Sequence, residues 1–480
     1  MQQLQQLEQD TTNEHESVES EDNEWSSSSG SKESGQFRFS EEVVLAFESS
    51  TDGQGLSRCF FLLSLFYMWP YQTMAQTQNF LLEEFPEKAK EAGFVMMICA
   101  TWPMFLTHTF LSVTGISRRL SYATKMTVPC IIVVFLAIYL VVVLKCSGSP
   151  GLLLNSLYSV AFLGSVAESF VEPAVYDMAG LFPSTSTSQM VQAGNGACGL
   201  VVSVVQMLTR LLTNGTGPIK KEQLEILTTV FIVLMGATSL AIVAIYMLRV
   251  RRSNYYIEYV GHQLATKDGD VISNAEPDET SEEDKDGESV SKAMIQALRY
   301  VWPSFLTVAL TFGTSLTLWP VIPGRSCAGG RTLQSWMFGL VIISFNLADF
   351  IGKSERRSLS WAAQTLSPMM QLGIAVLRAA VFVPLILSSS APQLYPAEIA
   401  RWVTWLSVFA LGLSNGWLST VCFMRAPKAL PPGTSNAVAE QASSVLVVGL
   451  FLGVSGGCLV SYELGQTALH DYLGVCYGAA

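Results

Sequence analysis

Asp349 and Lys353 stand four residues apart in the stretch SFNLADFIGK, near the end of an apolar run that begins around Thr332. On a helix that spacing puts both on one face, where they can pair. An ionisable side chain inside a membrane span costs roughly 2.5–3.5 kcal/mol on insertion scales, so it faces a cavity or an opposite charge. The pair therefore reads either as part of a polar path through lipid or as a structural ion pair that locks this helix to a neighbour. A second group lies in GSVAESFVEPAVYDMAGLFP, where Glu168, Glu172 and Tyr176 repeat at spacings of four and share a helical face beside the helix-breaking Pro173. Two carboxylates one turn apart in an apolar span repel each other and lose hydration. They suit a proton carrier, a cation site or a hydrogen-bonding partner for a polar ligand, with a polar stitch to another helix as the structural alternative.

Other polar residues are scattered through apolar surroundings. Arg378 in LRAAVFVPL is a lone cation that needs an acidic or carbonyl partner. LGLSNGWLS holds Ser414, Asn415 and Trp417, and a later span opens with Asn436, Glu440 and Gln441. His108, alone in the middle of a span, reads as a packing residue. The spans contain no H-E-x-x-H, no G-x-S-x-G and no clustered His and Asp ligands, so neither an enzyme, a metal site nor a cofactor is expected.

The elements that must position these groups follow from composition. Half of the 480 residues are hydrophobic and only 14% are charged, too apolar for a soluble chain of this length. The formal net charge of -11 is concentrated in two stretches: residues before Gly55 hold 13 acidic and 2 basic residues, and Ser253 to Met294 hold 11 and 3. The remainder carries 15 acidic and 23 basic residues, a net +8. The Gln-, Glu- and Ser-rich residues 1–55 are expected to be a disordered tail, because they bury too little apolar surface to offset chain entropy. That tail has no basic start followed by an apolar core, so the first span is expected to act as the targeting signal.

Eleven apolar stretches are long enough to cross a bilayer as helices. They lie near 56–81, 92–115, 126–145, 152–181, 188–212, 224–249, 297–321, 332–353, 367–388, 398–424 and 433–461. Basic residues follow every second span (Arg118, Arg119, Lys125; Arg249, Arg251, Arg252; Lys353, Arg356, Arg357; Arg425, Lys428), which places those loops and the acidic tail in the cytoplasm. The sequon Asn214-Gly215-Thr216 then falls outside, as a candidate glycosylation site. The acidic stretch 253–296 reads as a cytoplasmic linker between an N-terminal bundle, 56–252, and a C-terminal bundle, 297–480. Most cysteines sit inside spans as small core residues; Cys146, Cys327 and Cys476 fall at the outer face, where a disulfide is conceivable. Trp-Pro occurs at 69–70 and again at 319–320, matched places in the two bundles. Interrupted spans at corresponding positions point to a transporter built from repeated halves.

FNLADFIGK, LRAAVFVPL and LSNGWLSTVCFMRAPK, with MAGLFP and MAQTQNF, resemble the equilibrative nucleoside transporters (solute carrier family 29), over about Phe60 to Val460. The resemblance implies eleven spans, an inside N-terminus, and a 6+5 all-α arrangement like the major facilitator fold, rocking around a central site. Carried over by motif, Asp349 and Lys353 take the family's acidic and basic positions, with Asn346 on the same face. Glu172 falls where mammalian members have a glutamine that bonds the base. Trp69 and Met74 match cavity residues of the first span, and Thr101 and Met104 those of the second. Three departures bear on substrate choice. Lys353 replaces the usual arginine and loses its planar fork, Trp-Pro replaces Pro-Trp, and Glu172 replaces a neutral amide.

The expected function is transport of nucleosides or nucleobases by alternating access, facilitative or proton-coupled through Glu168 and Glu172, with the base stacked on Trp69. Arg378, Asn415 and Glu440 are expected to be structural polar residues. Partners are the substrate, membrane lipids and protons, not nucleic acid, and a monomer in the plasma membrane is expected. The rival readings are an organic-cation or monoamine-type transporter of the same family and a non-transporting nucleoside receptor.

Overall fold

The computed structural model describes residues 41–84, 89–146, 149–214, 221–261, 282–319, 322, 331–390, 395–426, 430–431, 434 and 436–467. Among them every element is helical. In chain order these are α1 (Glu41–Ser49), α2 (Thr51–Tyr67), α3 (Trp69–Glu84), α4 (Ala89–Thr114), α5 (Ile116–Arg119), α6 (Tyr122–Cys146), α7 (Pro150–Leu181), α8 (Thr185–Asn214) and α9 (Lys221–Leu248). After short helical turns over Val250–Gly261 come α10 (Glu282–Leu318), α11 (Arg331–Ser354), α12 (Arg356–Thr365), α13 (Pro368–Ser390), α14 (Ala397–Arg425) and α15 (Asn436–Gln466).

Nine helices among the described residues are long and apolar enough to cross a membrane, against the eleven expected. The first expected span is broken into α2 and α3, because Pro70 has no N–H to continue the ladder and fits only in the first turn of a new helix. Met68 bridges the break, and Gln72 N–H restarts the pattern on Met68 O at 3.1 Å. The eighth, α11, is 24 residues long, but the side chains of residues 331–335, 337 and 338 lie outside the described residues, and it is not among the nine. The outward faces carry Phe135, Ile138, Leu377 and Leu406, each more than half exposed. Such a surface suits lipid contact and would drive aggregation in water.

Helices α2 to α9 pack as one bundle, with α7 against α4 and α6, α9 against α3 and α6, and α2 against α8. In the other, α10 packs on α13 and α15, and α11 on α14. The bundles meet along two seams, α8 against α11 and α4 against α15. Charged side chains buried between those seams are therefore withheld from lipid.

Order begins earlier than the composition of the tail implies. Glu41–Ser49 is a helix because Phe47 buries its ring, 6.0 Å from Phe182 and 4.8 Å from Tyr255. Likewise the expected linker starts as structure: Asp52 Oδ2 accepts from Ser253 Oγ at 3.0 Å and from Asn254 N at 3.1 Å, and α10 begins at Glu282. Cys146 is exposed, while Cys327 and Cys476 lie outside the described residues.

Candidate functional site

A cavity with about 90 Å3 of space open to water-sized groups lies between the seams. Its polar lining is Gln72 from α3, Glu168 and Glu172 from α7, Asn195 from α8, Asn346, Asp349 and Lys353 from α11, and Asn415 from α14. Its apolar lining includes Met104, Phe312, Trp319 and Phe345. Helical periodicity explains the convergence: 168 and 172 share one face of α7, and 346, 349 and 353 share one face of α11.

Lys353 Nζ lies 2.7 Å from Asp349 Oδ2, with both side chains under a tenth exposed. The other carboxylate oxygen, Oδ1, accepts from Asn415 Nδ2 at 2.7 Å. Ser315 Oγ donates to Asn415 Oδ1 at 2.8 Å and accepts from Arg378 Nη2 at 2.6 Å. Arg378 in turn donates to the carbonyls of Thr311 (2.7 Å) and Leu411 (2.9 Å). A continuous polar chain thus runs from the interior of the C-terminal bundle to the cavity wall and fixes the rotamers of Asp349 and Lys353.

Asn346 Nδ2 donates across the seam to Gly199 O at 3.0 Å and Ser203 Oγ at 2.7 Å, leaving its side-chain oxygen free of those bonds. This approach requires a glycine, since a Cβ at Gly199 would come within 2.8 Å of Asn346 Oδ1. The α7 carboxylates are far less satisfied. Tyr67 O–H reaches Glu172 Oε1 only at 3.4 Å, and Glu168 Oε1 is buried without a hydrogen-bond partner. One turn further along α7, Tyr176 O–H accepts from Gln192 Nε2 (2.7 Å) and Asn195 Nδ2 (3.0 Å). Its ring stacks on Phe423 of α14 with centroids 4.7 Å apart, so aromatic rings from both bundles close this end of the cavity.

Not every residue singled out in the sequence reaches the cavity. Trp69 packs in the core of the N-terminal bundle and is absent from the cavity lining, so it offers no stacking face there. Met74 lines a smaller hollow inside that bundle, which it shares with Glu168. Thr101 is buried at the other seam, where Ser455 Oγ donates to its carbonyl at 3.1 Å. Met104 does line the cavity, and its N–H, one residue after Pro103, donates to Ser165 Oγ at 3.0 Å. The side chains of Glu440 and Asn214 lie outside the described residues. Tyr71, Trp319 and Phe345 line the cavity without having been singled out for it. Trp319 and Phe345 stack in parallel, centroids 4.3 Å apart, as a flat wall. The signal for Trp319 was present in the second Trp-Pro pair.

Over residues 157–464 the chain matches the family model described as "Nucleoside transporter". It is 25% identical over 390 residues to equilibrative nucleoside transporter 1 of Homo sapiens, covering 77% of this chain and 81% of that protein. Against equilibrative nucleoside transporter 4 of Danio rerio it is 22% identical over 459 residues, covering 85% and 83%. Among solved structures it is similar to a major facilitator superfamily proton:xylose symporter (TM-score 0.51, 14% identity, 88% of this chain and 92% of that one). It is also similar to a POT family transporter in complex with 5-aminolevulinic acid (TM-score 0.54, 11% identity, 88% and 93%). These structures establish a major-facilitator-like fold. With that fold, its lipid-facing helices and a family match over most of its length, the chain is a multi-pass membrane protein that belongs to the nucleoside transporter family, together with the equilibrative nucleoside transporters.

Proposed function

We propose that the protein carries nucleosides or nucleobases across a membrane by alternating access, with the substrate held between α7 and α11. The observation that carries this reading is one cavity, shared by the two bundles, with a flat aromatic wall and a hydrogen-bonding edge. A base offers the complementary shape: two apolar faces and a polar rim. Trp319 and Phe345 supply the wall. Lys353 uses one proton on Asp349 and keeps donors for a base or ribose oxygen, Asn346 keeps an acceptor, and Glu172 accepts from an exocyclic amine or ring N–H. The Asp349–Lys353 pair is held rigid by its neighbours, so little ordering entropy is lost on binding. Release requires only modest affinity and a relative tilt of the bundles about the seams, which opens the Tyr176–Phe423 end.

The distribution of basic residues supports a cytoplasmic N-terminus; a monomer in the plasma membrane completes the reading. Uptake of radiolabelled adenosine or hypoxanthine by a transport-deficient cell tests it. Saturable uptake that depends on this chain is expected, and no uptake of either compound would contradict it.

A second feature favours proton coupling. Lys353, the lysine in the cavity lining, is paired with Asp349, and among the described residues no ion pair joins Glu168 or Glu172 to a cation. Uptake by the wild type is expected to rise as external pH falls from about 8 to about 5.5, and to lose that dependence in Glu172→Gln. Flat profiles in both proteins would reject the coupling.

A further inference from the structure

We propose that Glu48, on the helix preceding the first membrane segment, is a latch that holds the two bundles together at the face where α1 and α12 lie. The inference rests on the alternating-access reading above.

Its carboxylate reaches both bundles. One oxygen, Oε1, accepts from Ser184 Oγ in the connection between α7 and α8. The other, Oε2, lies 2.8 Å from Arg356 Nη2, at the start of α12. Arg356 follows Lys353 by three residues, and Glu355 caps α12 by accepting from Ser358 N at 2.6 Å, so the arginine rides on the end of the site helix α11. α1 is itself anchored to the N-terminal bundle. Phe47 packs against Phe182 and Tyr255, and Ser50 Oγ caps α2 by accepting from Gly53 N at 3.0 Å. A Cβ at Gly53 would meet the Phe47 carbonyl at 2.1 Å, so the tight turn between α1 and α2 depends on glycine there.

The latch lies at the same end of the molecule as the Tyr176–Phe423 stack. α7 runs from Tyr176 to Leu181, just before Ser184, and α14 runs from Phe423 to Arg425, whose Nη1 donates to Ala363 O of α12 at 2.7 Å. Two layers therefore close this exit, aromatic rings next to the cavity and an ion pair at the surface. Tilting the bundles apart at this face must separate Arg356 from Glu48, because each partner is fixed to a different bundle. The pair is partly exposed, 59% and 29% for the two side chains, so it biases the equilibrium modestly and weakens in salt. A modest bias suits a step that must reverse in every cycle.

Spin labels at Arg119→Cys and Ser354→Cys, both exposed at this face, in a full chain with its native cysteines replaced, report the separation of the bundles by pulsed electron resonance. Glu48→Gln and Arg356→Gln are each expected to raise the long-distance population about two- to fivefold, the shift available to a partly exposed pair. The exchanged pair, Glu48→Arg with Arg356→Glu, returns it toward the parent, and Ser184→Ala gives a smaller change in the same direction. Unchanged distributions in Glu48→Gln and Ser184→Ala, or an exchanged pair no closer to the parent than the single variants, would overturn the latch. The distances require no substrate, so a failure to transport nucleosides would leave the result readable.

Discussion

Lys353→Ala is expected to abolish substrate uptake and to cost about 3–5 kcal/mol of stability, because it leaves a buried carboxylate without its cation. Asp349 and Lys353 are almost wholly withdrawn from solvent, so water cannot take the place of the ammonium group. Asn415 would still hold Asp349 Oδ1, but an amide donor does not neutralise a charge. A purely structural ion pair would give the same single-variant result. The neutral double variant, Asp349→Asn with Lys353→Met, separates the two roles: removing both charges restores most of the thermal stability, while uptake stays at background because the donors facing the cavity are gone. Recovery of uptake along with stability would make the pair a lock between helices and nothing more. Lys353→Arg keeps the charge and adds a second donor, so it is expected to retain transport.

Gly416→Ala has the second largest expected effect. A Cβ there would sit 2.1 Å from the Asp349 carbonyl oxygen, and one at Gly352 would sit 2.4 Å from the Leu413 carbonyl. Both obstacles are backbone atoms, which cannot swing aside as the end of a long side chain can. α14 would be forced off α11, carrying Asn415 away from Asp349. The cost should exceed the about 1–3 kcal/mol typical of an overfilled core. A melting curve in detergent is expected to drop by several degrees for Gly416→Ala and to stay in place for Gly373→Ala, where no atom lies within 4 Å of the new Cβ. Equal melting temperatures would contradict so close a contact.

The parts of this molecule legible in its sequence are those that lipid dictates. Apolar runs placed the membrane helices, and charges inside those runs marked Glu168, Glu172, Asp349 and Lys353, which meet around one cavity. Rotation about a helix axis beside a break was not legible. Trp69 and Trp319 occupy matched Trp-Pro pairs, yet the first turns into the bundle core and the second onto the cavity wall. At the start of a new helix the phase is reset by the geometry of the break, which periodicity does not carry. The order of α1 was hidden in a similar way. Its surroundings are acidic and Ser-rich, and a single buried ring, Phe47, with an ion pair 308 residues distant in sequence, holds it. Gly196 and Gly199, in the small-residue run QAGNGACG, let α8 approach α11 of the other bundle closely, a partner that helical periodicity does not name.

Binding at equilibrium tests the shared site most directly, since it is independent of gating and of any driving gradient. Labelled adenosine should bind the purified wild-type protein and lose at least about tenfold in affinity in Glu172→Ala, and again in the neutral Asp349→Asn, Lys353→Met variant, a loss on the scale of one or two hydrogen bonds to charged groups. Undiminished binding in both folded variants would contradict a substrate held between α7 and α11.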